Sequence, residues 1–430
     1  MHHALRPTDA NTEGLVELAQ DATAPEGLLF HHANEGRPLA TPWQIAALRA
    51  QMVSQHELAP GHVLDCACGS GIQLAAYGAT LQRPLLGVEL SAERAQASAV
   101  NVRTVAHHTR SEEDDWYLNS HIVSGDGTDP EGVVATLHDT ELNVAFLHLD
   151  PARPRNSRTH ALEEMQPPLH RVLASWAPYF NEENHAPSLL LDLSPRLTGA
   201  QRIEVESIVD ATWPGIARTW EWTSRGRGRV DRLALWLGGV ADGRAARRFV
   251  RVPASLADPP VILRSEHDQI PLDVRHHPPK RGEHVSILDA ALMESGLMGE
   301  WLDRVAPSQE GRWASVEGRR PQLHHDHPLE LAPEDEGLVQ ATGRVVELLK
   351  FSLDQTTVDE LVSVALGHRL ASVKLRYDID PALQPKLQGS LDRQLKRRHG
   401  DREGFVAQHP HGDLLLLCVC PSEAEPSPPI

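Results

Sequence analysis

The stretch Val63-Leu64-Asp65-Cys66-Ala67-Cys68-Gly69-Ser70-Gly71 passes from an apolar, strand-like run into a glycine loop, and a helical pattern begins near Ile72. Glycines at 69 and 71 let the backbone approach a ligand closely, while the first turn of the helix offers unpaired N–H groups to a carboxylate or phosphate. A nucleoside-bearing ligand is therefore expected. Position 74 is Leu, so the G-x-G-x-x-G dinucleotide fingerprint is incomplete and a pyrophosphate ligand is disfavoured.

Outward from this loop, short β-rich runs alternate with helix-length segments. The strand candidates are His62–Cys66, Pro84–Leu90, His121–Ser124, Val144–Leu149 and Ser188–Leu193, followed by Arg218–Thr223 and Arg232–Leu237 around a short Gly-rich turn. Five separated strands predict a parallel, doubly wound α/β sheet, and the closing pair predicts an antiparallel edge. Glu89 ends the second strand 18 residues after Gly71, where a carboxylate can accept from both hydroxyls of a ribose, and Leu90 follows it. Ser124-Gly125-Asp126-Gly127 closes the third strand in a similar loop. Asp150, in Phe146-Leu147-His148-Leu149-Asp150-Pro151-Ala152-Arg153, ends the fourth strand, where ligands of open α/β sheets sit. Arg153, with Arg155 and Arg158, forms either a solvated cluster or a contact for phosphate or carboxylate.

The rest of the chain reads as additions to this core. Residues 1–57 predict an N-terminal, partly helical extension, loosely ordered to about residue 40, with Thr41 capping a helix that starts at Pro42. Residues 58–240 hold the sheet. Residues 241–340 read as linker and helical connection, with polar stretches Val252–His284 and Arg312–Glu336 around a helix at Asp289–Val305. Residues 341–422 predict a small α+β domain of the split-βαβ, ferredoxin-like kind, from strands Thr342–Phe351, Ala371–Tyr377 and Asp413–Cys420 and helices Thr356–Leu366 and Asp380–His399. Residues 423–430 predict a disordered tail.

Composition narrows the function classes. With 41 Lys+Arg against 59 Asp+Glu, the net charge of −18 excludes a protein coated in basic surface, though a local basic patch is compatible with it. The longest clean apolar run, Leu414–Cys420, is seven residues, a strand and not a membrane span. The start lacks the apolar core of a signal peptide, and four cysteines in two C-x-C pairs fit a reducing compartment, so a cytoplasmic location is expected. The C-x-C pairs read as buried strand residues and the 25 histidines as composition bias, so no metal is expected.

The pattern D-x-x-x-G-x-G at 65–71 resembles motif I of class I S-adenosylmethionine (AdoMet)-dependent methyltransferases. That resemblance implies AdoMet as cofactor, held by Asp65, Cys68, Gly69, Ser70, Gly71, Glu89, Leu90, Asp126, Gly127 and Asp150, with Asp126 near the adenine amino group. It places catalysis on Asp150, Pro151 and Arg153, where amino-directed enzymes of the class carry Asp/Asn-Pro-Pro-aromatic; here Ala152 and Arg153 replace the second Pro and the ring. LDPAR, Gln166-Pro167-Pro168-Leu169, Leu193-Ser194-Pro195, Glu221-Trp222-Thr223-Ser224, Leu233–Gly238, Leu349-Lys350-Phe351 and Val373–Pro381 are more specifically similar to class I methyltransferases carrying a C-terminal THUMP-like domain. This chain departs from them at Pro154 (usually Arg), Asp192 (usually Lys) and Ile287-Leu288-Asp289 (usually Tyr-Glu-Pro).

The resemblance implies RNA, tRNA or rRNA, as substrate. From the residues themselves, 371–410 carry eight Lys/Arg against five Asp/Glu, including Lys396-Arg397-Arg398, and Arg225, Arg227 and Arg229 alternate with glycines beside Trp220 and Trp222. Those features suit phosphate contact and base stacking, or, for the tryptophans, edge-strand packing. A small-molecule or protein acceptor, favoured by the acidity, and a non-catalytic binding protein are the alternatives.

Overall fold

The computed structural model describes residues 2–17, 21–33, 40–137, 141–154, 160–180, 185–226, 228–266, 273–307, 311–396 and 400–421. Two units divide the chain, Met1–Glu221 with Arg232–Ala246 and Val252–Pro259, and Trp222–Asp231 with Arg247–Arg251 and Pro260–Ile430.

The first unit runs β1 (His3–Leu5), β2 (Val16–Glu17), β3 (His31–His32), α1 (Trp43–Val53), β4 (His62–Asp65), α2 (Ile72–Leu81), β5 (Leu85–Glu89), α3 (Ala92–Thr109), α4 (Asp115–Leu118), β6 (His121–Ser124), α5 (Pro130–Leu137), β7 (Val144–Leu149), α6 (Leu169–Trp176), β8 (Ser188–Leu193) and α7 (Gly199–Thr212). β9 (Arg218–Ser224), which leaves the unit after Glu221, and β10 (Arg232–Gly238) complete it. The sheet order is β1-β6-β5-β4-β7-β8-β10-β9. β4 to β8 pair in parallel, and β10 runs antiparallel to β8, from Leu233 opposite Leu193 to Gly238 opposite Ser188. Every residue of β5, β7 and β8 is buried, as parallel strands covered by helices on both faces must be. The order places the antiparallel strand between the fifth and sixth strands of the set and so differs from the 3-2-1-4-5-6 order of dinucleotide-binding sheets.

The N-terminal expectation needs correcting. β1 adds to the sheet edge, antiparallel to β6, with His3 opposite Ser124 and Leu5 opposite Ile122. α1 starts at Trp43, with Pro42 and not Thr41 at the cap position. Its orphan N–H groups are satisfied from upstream, Trp43 N donating to Asp21 Oδ2 (2.9 Å) and Gln44 N to Thr23 Oγ1 (3.3 Å).

The second unit contains β11 (Arg247–Arg251), β12 (Val261–Ser265), β13 (His284–Leu288), α8 (Ala290–Ser295), α9 (Met298–Val305), β14 (Arg312–Ser315), β15 (Gln322–His325), β16 (Val339–Leu349), α10 (Val358–Gly367), β17 (Leu370–Leu375), α11 (Gln384–Lys396), β18 (Arg402–Gln408) and β19 (Leu415–Val419). β11 and β12 form an antiparallel pair, and a seven-stranded sheet has the order β14-β15-β13-β16-β19-β18-β17. Residues 241–340 are therefore not a linker: they supply five strands, and the single helix expected there is two, separated at Gly296 in the left-handed conformation (φ 76°).

The C-terminal segment runs β-α-β-α-β-β, with β17 and β18 parallel and β19 between β16 and β18, and so departs from the expected β-α-β-β-α-β order of a ferredoxin-like module. The overlooked element is β18. Its Arg402-Glu403-Gly404 start hides the alternation, yet Gly404 is required there because a Cβ would lie 2.6 Å from Cys418 O. The apolar run Leu414–Cys420 is explained by β19, buried throughout and paired on both edges. Among the described residues no helix is long and apolar enough to cross a membrane; the expected tail at 423–430 lies outside them.

Candidate cofactor and acceptor site

The carboxyl ends of β4, β5 and β6 bring the glycine loop, Glu89 and Asp126 to one edge of the sheet. Asp65 Oδ1 accepts from Ala67 N (3.0 Å), turning the chain out of β4. Gly69 and Gly71 both have positive φ (54° and 71°), and a Cβ at Gly71 would lie 2.2 Å from Ser98 Oγ on α3. The loop is thus pressed against α3 where only glycine fits. Ser70 O accepts from Asn101 Nδ2 (2.7 Å), a second tie to α3. Cys68 is buried with its Sγ 3.5 Å from Ser98 Oγ, and burial, with Asp65 and Glu89 nearby, pushes its thiol well above the usual range. It packs as a small apolar residue and holds the loop, with no thiolate to offer.

Glu89 is 5% exposed, and its carboxylate accepts from Gly69 N (3.1 Å) and Ser91 N (3.0 Å) and pairs with Arg94 (2.8 Å). Leu90 beside it is 76% exposed, an apolar side chain held in the open at a strand end. Asp126 is exposed, with Oδ1 accepting from Thr128 N and Oγ1 (both 2.9 Å). Gly127 is buried under Cys66 O, 2.2 Å from where its Cβ would stand, so this loop too requires glycine.

Asp150, Pro151 and Arg153 leave the end of β7, beside β4. Ala152 exchanges two backbone hydrogen bonds with Gln166 (2.8 and 2.9 Å), which brings the LDPAR and Gln166-Pro167-Pro168 segments together. Burial, with the Asp192 carboxylate nearby, pushes the Asp150 carboxyl above its ordinary value. Arg155 and Arg158 lie outside the described residues.

Beneath this edge runs a buried chain of charges that sequence reading missed. His148, fifth residue of β7, donates from Nδ1 to Asp65 Oδ2 (2.7 Å) and from Nε2 toward Asp192 Oδ2 (3.3 Å). Asp192, fifth residue of β8, takes both terminal nitrogens of Arg49 from α1, one at 2.6 Å. All four side chains are within 3% of full burial. Asp192 is thus the partner of a positive charge that enters from α1. The available signal was a charged residue inside each of three otherwise apolar runs, LHL, LDL and ALRA.

Burial alone would lower the His148 imidazole, but Asp65 and Asp192 outweigh it and hold it at about 9. Burial would raise Asp192, but Arg49 and His148 hold it well below the carboxylate range. Because the folded value of His148 exceeds its ordinary 6.5, its stabilisation is complete below pH 6.5 and lost as pH rises through about 9. Urea titrations are expected to show stability falling by on the order of 3 kcal/mol across that window, and a flat response in His148→Gln. Equal slopes in both proteins would refute the assignment.

Two cavities of about 770 and 790 Å³ are lined by residues such as Arg6, Gln96 and Leu137, and Arg103, His107 and Tyr117. Neither touches the glycine loop, Glu89 or Asp150; the candidate site is drawn from the strand ends, the glycine contacts and the carboxylates around them.

The expected nucleic-acid features fare less well. Trp220 and Trp222 are buried, 6% and 1% exposed, so their faces are not open to bases. Trp220 Nε1 donates to Glu206 (2.7 Å), and Arg247 lies over Trp222 at 5.4 Å. Arg225 is paired with Asp231 (2.9 Å). Arg227, Arg397 and Arg398 lie outside the described residues.

Among solved structures, the chain is similar to a Porphyromonas gingivalis W83 protein assigned as a methyltransferase, with a TM-score of 0.55 and 15% identity over 91% of this chain and 83% of that one. The likeness is one of fold, and it is to methyltransferases. A Listeria monocytogenes protein assigned to the class I AdoMet-dependent methyltransferases gives a TM-score of 0.33 at 12% identity over 47% of this chain and 61% of that one. The Thermus thermophilus 16S rRNA N2 G1207 methyltransferase, in complex with AdoMet and guanosine, gives 0.33 at 14% identity over 52% and 50%. No family model and no curated protein sequence matches the chain.

Proposed function

We propose that the first unit binds AdoMet and catalyses methyl transfer. The observation that carries this reading is the coincidence of the inserted antiparallel β10 with a glycine loop and a buried acid at the ends of β4 and β5. The residues suit that cofactor. A carboxylate has about four acceptor positions, and Gly69, Ser91 and Arg94 engage three on Glu89; Arg94, 44% exposed, is placed to swing away for a ribose diol. Leu90 offers an apolar face to a base, and Oδ2 of Asp126 an acceptor for an amino group.

When bound, AdoMet supplies an electrophilic methyl group; transfer leaves the electron pair of the broken C–S bond on sulfur. The task left to the protein is alignment of the acceptor and removal of its proton. Asp150 stands where both are possible: it lies beyond β7, and its raised proton affinity suits an ionised carboxylate that takes a proton from the acceptor as the new bond forms. Pro151 and the Ala152–Gln166 bridge hold its backbone. Asp65 and Cys68 contribute by holding the loop. Asp150→Ala is expected to lower transfer about a hundredfold or more while calorimetry still detects S-adenosylhomocysteine binding. Undiminished turnover would remove Asp150 from the mechanism.

For the acceptor we propose RNA, on the similarity of the DPAR, QPPL and C-terminal segments to THUMP-like-domain methyltransferases. The net charge of −18 favours a second reading, a small-molecule or protein acceptor. Tritiated AdoMet offered with RNA, protein and metabolite fractions distinguishes them: label in RNA alone supports the first, and label elsewhere overturns it.

A further inference from the structure

Arg153 stands out in the first unit because, among the described residues, no group answers it at two of its nitrogens. Its Nε and Nη2 are shut off from solvent with no hydrogen-bond partner among the described residues. Asp150, Asp192 and Glu164 lie near enough to act on its charge, yet none closes an ion pair with it. The contrast with its neighbours is direct: Arg49 is bound at both terminal nitrogens by Asp192, and Arg225 is paired with Asp231.

A guanidinium stays charged at any ordinary pH, and Arg153 is half-buried, so two enclosed nitrogens without an acceptor cost free energy that a bound anion would recover. It has not simply strayed there. Ala152, the residue before it, is bonded to Gln166 at both N and O (2.8 and 2.9 Å), and Pro151 is buried. The backbone therefore aims Arg153 from the same strand end that carries Asp150. A second guanidinium, Arg232 at the start of β10, also acts on the Asp150 carboxyl, while one of its nitrogens donates to Thr41 Oγ1 (3.3 Å).

We propose that Arg153 is a specificity residue which binds an oxyanion of the methyl acceptor, a phosphate or a carboxylate carried close to the atom that is methylated. This rests on the methyltransferase reading and adds the chemical class of the acceptor to it. An oxyanion fits the planar fork of a guanidinium through paired N–H donors, and charge-assisted bonds of this kind contribute roughly 1.5–3 kcal/mol each in a partly enclosed site. Arg153 thereby does for an anionic acceptor what an aromatic ring does for a neutral base, and the missing ring after Pro151 becomes a change of specificity.

The test is calorimetric titration of the full chain with inorganic phosphate and, separately, acetate at constant ionic strength, comparing wild type with Arg153→Gln and Arg153→Lys. Saturable binding of at least one anion is expected, weakened about tenfold or more in Arg153→Gln, as loss of roughly 1.4 kcal/mol requires, and partly retained in Arg153→Lys. Tighter phosphate assigns a phosphoryl acceptor, and tighter acetate a carboxylated one. S-adenosylhomocysteine affinity is expected to be unchanged in both variants, which also shows that they fold. No saturable anion binding by the wild type, or equal binding by Arg153→Gln, overturns the proposal. If S-adenosylhomocysteine binds none of the three proteins while the anion result stands, the methyltransferase reading falls and the anion site does not.

Discussion

Asp192→Ala is expected to cost the first unit about 3–5 kcal/mol, because it strands Arg49 and removes one of the two acids that hold His148 charged. All three groups are buried, so water cannot replace the lost carboxylate. Removing both ends of the pair is a different case. In Arg49→Met with Asp192→Leu no uncompensated charge remains between those positions, and buried pairs replaced by apolar groups are often neutral or stabilising. His148 still keeps Asp65 (2.7 Å). The double variant is therefore expected to recover most of the stability lost in Asp192→Ala. Urea denaturation of the two proteins checks this; a cost below about 1 kcal/mol for Asp192→Ala, the range of a surface pair, would show that the network is not closed.

Gly71→Ala is expected to abolish measurable S-adenosylhomocysteine binding. The backbone there has φ 71°, and the new Cβ would meet Ser98 Oγ at 2.2 Å and Ser98 Cα at 2.9 Å. The second contact involves main chain, so it cannot be relieved by turning a side chain, and either α3 or the loop must move. Strain of this kind costs about 1–3 kcal/mol for the dihedral and a similar amount for the overlap. In Gly71→Ala with Ser98→Gly the hydroxyl clash is gone but the dihedral strain and the contact with the Cα at position 98 remain, so binding is expected to return only in part. Wild-type affinity in Gly71→Ala would mean that the loop does not hold the cofactor as proposed.

The local features of the first unit were legible because they depend on short-range physics. A continuous apolar run bounded by glycine is a buried strand whatever it packs against, and all seven strands from β4 to β10 lie within one residue of their expected ends. Glu89, Asp126 and Asp150 stand at or just beyond strand ends, where the sequence put them, because a strand's end follows from its apolar run. The second unit was harder. Strands such as Arg312–Ser315 and Gln322–His325 carry polar and histidine side chains, and their burial depends on neighbours far along the chain: His284 pairs with both His325 and Arg344. Nothing in a ten-residue window carries that information.

The amino-acid order alone settled the alternation of strands and helices, the glycine loop and the acids that face it, because each follows from side-chain periodicity and the backbone freedom of glycine. The fold itself had to bring Arg49, Asp65, His148 and Asp192 into one line and join His3–Leu5 to the sheet. Each of those depends on residues from 44 to 143 positions apart or more being packed side by side where water is excluded, and it is that exclusion, absent from any local stretch, that turns a scattered set of charges into a network.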